Sequence, residues 1–141
     1  MGYYMFQMYA DFEIPVKSEE KALKQLYKYN LTRDSKETIG EAFIEHGWDI
    51  HLENDKWTDL QFLGEKYKAV DDTLFGVVAP FVPKYCYIQM QGEEGEMWRW
   101  SFDGENCLII QPEIYWPTIE EAKSRLNAIE EVKAERSKYN Q

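Results

Sequence analysis

Among the side chains suited to nucleophilic, proton-transfer or metal chemistry, this sequence offers two histidines, His46 and His51, and two cysteines, Cys86 and Cys107. A cysteine nucleophile needs a base beside it. Cys107 could find one in either histidine only if the fold brings distant segments together. Asp49, His51, Glu53 and Asp59 set one imidazole among carboxylates, a donor set that a divalent cation accepts. The same alternation describes the solvated face of a strand, and that is the reading adopted, with no metal expected. A third group is Trp98-Arg99-Trp100 with Tyr85, Tyr87 and Tyr115, the residue types of a base-stacking platform. Against that, Trp98, Trp100 and Phe102 fall on one face of a strand, the face expected to enter the core, which leaves Arg99 outside.

Familiar catalytic and cofactor motifs are missing. There is no Gly-x-Gly-x-x-Gly, phosphate-binding loop, Gly-x-Ser-x-Gly, Cys-x-x-Cys or His-Glu-x-x-His, and Gly92-Glu-Glu-Gly95 is acidic where a phosphate cradle must not be. No cofactor is expected. A carboxylate pair of the glycosidase kind has no local signature, so it stays open.

The elements that must position these residues follow from periodicity. Residues 3–14 alternate as a strand, with Tyr4, Phe6, Met8, Ala10 and Phe12 on its apolar face and Pro15 closing it. Ser18 begins a helix to Tyr29 whose buried stripe is Ala22, Leu23, Leu26 and Tyr27, with Asn30 as a left-handed terminator. Asp34 and Glu37 suggest a capping box for a second helix to His46, and Gly47 suits the position after it. Trp48, Ile50 and Leu52, then Thr58, Leu60 and Phe62, give the apolar face of a hairpin turned by Asn54-Asp55-Lys56. A helix over 71–79 is capped by Asp71 or Asp72 and stopped by Pro80 and Pro83. A three-strand meander spans 85–116, with Asp103-Gly104 as its strongest turn and Pro112 marking an edge. Thr118 and Glu121 cap a final helix with a narrow seam of Ile119, Ala122, Leu126, Ile129 and Val132. The expected architecture is α+β: one domain, mainly antiparallel sheet of about six strands, with core 1–117 and helical extension 118–141. That extension reads as a fraying tail, a docking arm or a self-association helix.

Composition narrows function. The 141 residues are 44% hydrophobic and 16% aromatic, enough for a core, and carry a net charge of −10, which repels a phosphate backbone. The N-terminus lacks a signal-peptide pattern and no run approaches the roughly 20 apolar residues of a membrane span, so a soluble, cytoplasmic protein is expected.

The run Gly92-Glu-Glu-Gly95-Glu-Met-Trp98-Arg99-Trp100-Ser-Phe102-Asp-Gly104, closed by Ile114-Tyr115-Trp116-Pro117, resembles small uncharacterised proteins of phages and other mobile elements. The segments 62–67 and 79–82 are similar too. The resemblance supplies no catalytic positions. With the charge, it implies a non-enzymatic inhibitor that occupies a basic surface of a host nucleic-acid-binding or defence protein, in the manner of anti-CRISPR proteins, in the host cytoplasm. The residues expected to meet that partner are Glu93, Glu94, Glu96, Arg99, Asp103, Glu105, Asp49, His51 and Glu53, with direct binding to neither nucleic acid nor membrane. One alternative is a small-molecule or nucleotide-binding module, or an unrecognised hydrolase, with a pocket beside Tyr87, Arg99 and His51. A third is a structural accessory protein that forms a homodimer through the last helix.

Overall fold

The computed structural model describes residues 2–34 and 37–139, in the order β1 (Tyr3–Asp11), β2 (Ile14–Pro15), α1 (Glu19–Lys28), α2 (Ile39–Ile44), β3 (Trp48–Glu53), β4 (Lys56–Phe62), β5 (Lys66–Tyr67), α3 (Ala69–Val78), β6 (Tyr87–Gly92), β7 (Met97–Phe102), β8 (Cys107–Ile110) and α4 (Ile119–Tyr139). The class is the expected α+β, but the strands form two sheets. One has five strands in the order β5-β1-β6-β7-β8, and the other has three, β2-β4-β3. Every pairing among the described residues is antiparallel. The two-residue strands β2 and β5 are too short to leave a periodic trace in sequence.

Simple alternation fails on β1 and β4, and in each case the reason is a bulge. On β1 the register slips between Gln7 and Tyr9, so Met8 is the extra residue. Before the slip Met5 and Gln7 face inward; after it Ala10 does. Phe6 and Met8, expected in the core, are 61% and 47% exposed. On β4 the slip lies opposite Asp49 to His51, where Asp59 has φ +57°. Trp57 and Leu60 both become buried, while Leu52 on β3 is 58% exposed. A bulge inserts one residue and so exchanges the two faces beyond it. The irregularities touch: the Gln7 side chain donates to Leu60 O (2.8 Å) and accepts from Phe62 N (2.6 Å). One inward-facing amide thereby bonds backbone of the second sheet.

Local chemistry sets the other boundaries. Asn54 and Asp55 take φ +50° and +62° as the two-residue hairpin loop, and Gly47 takes +83° after α2. α2 starts later than expected because Thr38 caps it, its hydroxyl accepting from Glu41 N at 3.1 Å. Of the anticipated Asp34–Glu37 box, Glu37 instead binds the Thr32 hydroxyl, and Ser35 and Lys36 lie outside the described residues. On α1, Tyr27 is exposed rather than buried, and Asn30 has the expected left-handed φ of +59°. The third meander run is strand only to Ile110, ahead of Pro112.

The core joins the inner face of the five-stranded sheet to the helices and the second sheet. Phe75 of α3 lies 4.9 Å from Trp100 and 5.0 Å from Trp48, centroid to centroid, and Phe12 reaches Phe43, Phe75 and Phe102. Trp48, Phe75 and Trp100 are fully buried, and truncating such a ring costs about 3–5 kcal/mol. Trp98, Trp100 and Phe102 do share the inward face, and Arg99 lies outside.

Candidate functional site

α3 begins with two adjacent carboxylates, and each takes an indole N–H from the core. Asp71 accepts from Trp48 Nε1 and from Lys68 N, both at 3.0 Å. The second of these bonds closes the first turn of the helix. Burial pushes the Asp71 carboxyl above its ordinary range. Asp72 accepts from Trp100 Nε1 at 2.8 Å, and its other oxygen takes the Tyr67 hydroxyl. That bond, with burial and the two negative charges, pushes Tyr67 up to about 12.

Asp72 and Tyr67 stand in the wall of an open cleft of about 560 Å³ beside the β7–β8 edge. Tyr3 of β1, Trp98 of β7, Ile109 of β8 and the Gln111-Pro112 segment line it too, and Glu96 sits on its rim. Tyr67 and Trp98 meet edge to face, 6.4 Å apart at 88°. The Glu96 carboxylate and the Tyr3 hydroxyl lie over the α-carbon of Gly92. A side chain there would sit 1.5 Å from Glu96 Oε1 and 2.1 Å from the Tyr3 oxygen. A methyl group at Gly92 would therefore push both of these side-chain ends from the positions they hold. The site draws on five separate segments, and the Trp98 ring is half-buried, with one side in the core and the other in the cleft.

A second hollow of about 360 Å³ lies against the same segment, lined by Gln89, Arg99, Ile110 and Glu113. Arg99 is laid flat on the outer sheet face. Its guanidinium sits 4.3 Å from the Tyr87 ring centre, and its Nε donates to Gln89 Oε1 at 2.8 Å. Neither hollow is lined by His51.

The residues expected from sequence fall in separate places. Glu93, Glu94 and Glu96 are exposed in the β6–β7 turn. Asp103 and Glu105 occupy the β7–β8 turn, at the far end of a six-residue strand and so roughly 17–20 Å away. Asp103 is committed to that turn: its Oδ1 accepts from Glu105 N (2.9 Å) and Asn106 N (2.6 Å), which hold its carboxyl below the ordinary range. Asp49, His51 and Glu53 lie along β3 in the other sheet. His51 Nε2 is 2.9 Å from Asp49 Oδ2, and Glu53 lies opposite Lys56 in the strand register, while Lys56 Nζ is 3.1 Å from Glu13 Oε2. Of this set only Glu96 lines the cleft, and only Arg99 the second hollow. Among the described residues, no group of three or more His, Cys, Asp and Glu gathers closely enough to hold a metal ion. His46 is a tether, its Nε2 2.6 Å from Leu31 O.

The thiols are not activated. Burial pushes Cys86 up to about 11, and burial with the nearby Asp72 charge pushes Cys107 up to about 12. Both are protonated at neutral pH, the opposite of what a nucleophile requires. No described helix is long and apolar enough to cross a membrane. Comparison with protein-family models, with curated proteins and with solved structures finds no match to this chain.

Proposed function

We propose that this chain is a non-enzymatic binding protein that seats a lysine or arginine side chain of a protein partner in the cleft between Asp72, Glu96 and the rings of Tyr3, Tyr67 and Trp98. The observation that carries this reading is the chemistry of the wall: carboxylates and aromatic rings converge on one open cleft, with Ile109 and Pro112 supplying apolar surface. A cation beside a ring gains about 0.5–2 kcal/mol, depending on desolvation. A hydrogen bond to a charged partner adds about 1.5–3 kcal/mol. Apolar walls suit the methylene stem of either side chain.

Long-range electrostatics favours the same class of partner. The net charge of −10 attracts a basic surface and raises the rate of encounter. A basic surface that fits is the nucleic-acid groove of another protein, so the resemblance to small phage proteins extends the reading to an inhibitor of a host nucleic-acid-binding defence protein. The protonated thiols favour binding over nucleophilic catalysis.

Calorimetry with short peptides bearing one central arginine or lysine tests this. Binding is expected to weaken as salt rises, to disappear when the basic residue is replaced by glutamine, and to fall about tenfold with Glu96→Gln. Equal affinity for the basic and glutamine peptides would overturn the reading.

A further inference from the structure

α4 runs for 21 residues, about 30 Å, and every described side chain on it except that of Ala122 is exposed. Its apolar positions still keep a heptad. Ile119, Ala122, Leu126 and Ile129 recur at intervals of three and four, and the same stripe continues through Lys133 and Arg136. Ile119, Leu126 and Ile129 are 74%, 59% and 52% exposed, an apolar seam that nothing in its own chain covers among the described residues. Most helical stability in proteins comes from packing of an apolar face rather than from propensity, so a partner along the seam stabilises α4.

We propose that the partner is α4 of a second copy, running antiparallel, with Leu126 of each helix against Ile129 of the other. The charge pattern selects both occupant and direction. A parallel pair would set Lys133 against Lys133 and Arg136 against Arg136 across the seam. The antiparallel register instead sets Arg136 opposite Ile119 and Lys133 opposite Ala122, so the aliphatic stems of the basic residues cover apolar surface. Along the flank it brings Lys123 of one copy beside Glu130 of the other, twice by two-fold symmetry. The helix dipoles are then opposed, which also favours this direction.

The arrangement places the two core domains at opposite ends of the helix pair. The last turns of each α4 pass the segment where the other helix leaves its domain, where Ile114 and Trp116 are 90% and 83% exposed. The cleft is lined by no residue of α4, so each copy brings its own cleft to the dimer, and a partner with repeated basic sites is held more tightly than by one copy. The pairing does not depend on the cleft's ligand.

Light scattering on the full chain, from micromolar to millimolar concentration, tests the pairing. The expected mass at high concentration is twice that of the chain. Ile129→Asp should return it to the monomer while leaving the melting of the core domain unchanged. Lys123→Glu or Glu130→Lys alone should weaken association about tenfold, and the two together should restore it, because only the antiparallel register joins these residues. A monomeric mass throughout, a dimer untouched by Ile129→Asp, or a double variant as weak as the singles would each overturn the proposal.

Discussion

Trp100 Nε1 donates to Asp72 Oδ1 at 2.8 Å, while the neighbouring Asp71 takes Trp48 Nε1 at 3.0 Å. The start of α3 therefore fixes two core indoles, one from each sheet, and holds the Asp72 carboxylate beside the cleft. Stability and the candidate site share these bonds.

Trp57 provides the contrast, because its Nε1 is buried without a hydrogen-bond partner among the described residues. Replacing Trp57 by Phe removes an unsatisfied donor as well as volume, whereas Trp48→Phe strips a donor from a buried carboxylate. Leaving a buried acceptor without its hydrogen bond costs about 1–3 kcal/mol beyond the packing loss. Urea unfolding is expected to rank Trp48→Phe as the more damaging substitution, and the reverse order would contradict the assignment of these partners.

Asp71 also sets a pH dependence. Its folded carboxyl lies above the ordinary 3.8 because burial disfavours the charge, so the folded protein binds this proton more tightly than the unfolded chain. The stability it contributes is complete below 3.8 and is lost as pH rises through the folded value. Asp103 has the opposite sign: its contribution is present above 3.8 and fades as pH falls, but it is common to wild type and Asp71→Asn and cancels between them. The stability of wild type relative to Asp71→Asn should therefore decline as pH rises from 3.8 through the raised folded value. A flat difference would mean that burial does not raise the Asp71 carboxyl in the fold.

Gln7 bonds the two sheets through Leu60 O and Phe62 N. Gln7→Ala leaves both backbone groups without that partner and is expected to cost about 1–3 kcal/mol in urea unfolding. Gln7→Glu should not recover the loss, since a carboxylate accepts from Phe62 N but cannot donate to the Leu60 carbonyl. Full recovery with glutamate would refute the bridge.

The thiols give a chemical test. With Cys86 at about 11 and Cys107 at about 12, against an ordinary 9.0, the native protein should react with a thiol reagent at pH 8 about a hundredfold more slowly than free cysteine. Both should react promptly in guanidinium. A native thiol reacting at the free rate would reopen the nucleophile reading for that residue.

Much of the fold was legible because local chemistry dictates it. Asn54-Asp55, Gly47 and Asp103 specify their turns by the backbone angles or side-chain bonds they provide, and Trp100 and Phe102 follow simple alternation into the core. The phases of β1 and β4 were not legible: the slip at Met8 and the left-handed Asp59 are settled by contact between the sheets through Gln7, 53 residues from its partner Leu60. The cleft was hidden for the same reason. Asp72 reads locally as an ordinary first-turn carboxylate and Trp98 as a core ring. Tyr3, Tyr67 and Trp98 become one wall only when β5, β1 and β7 lie in one sheet with α3 behind them. The single local hint was Gly92 ending a strand, where a missing side chain signals a close approach.

The central claim, that the cleft holds a cationic side chain, is tested most directly by following the indole N–H resonances during titration with a peptide bearing one central arginine. The expected result is a saturable shift at Trp98, little change at Trp48 and Trp57, and loss of the shift in Gly92→Ala, whose methyl group displaces Glu96 and Tyr3. A Trp98 resonance that stays still while the peptide binds, or one that shifts equally in Gly92→Ala, would contradict it.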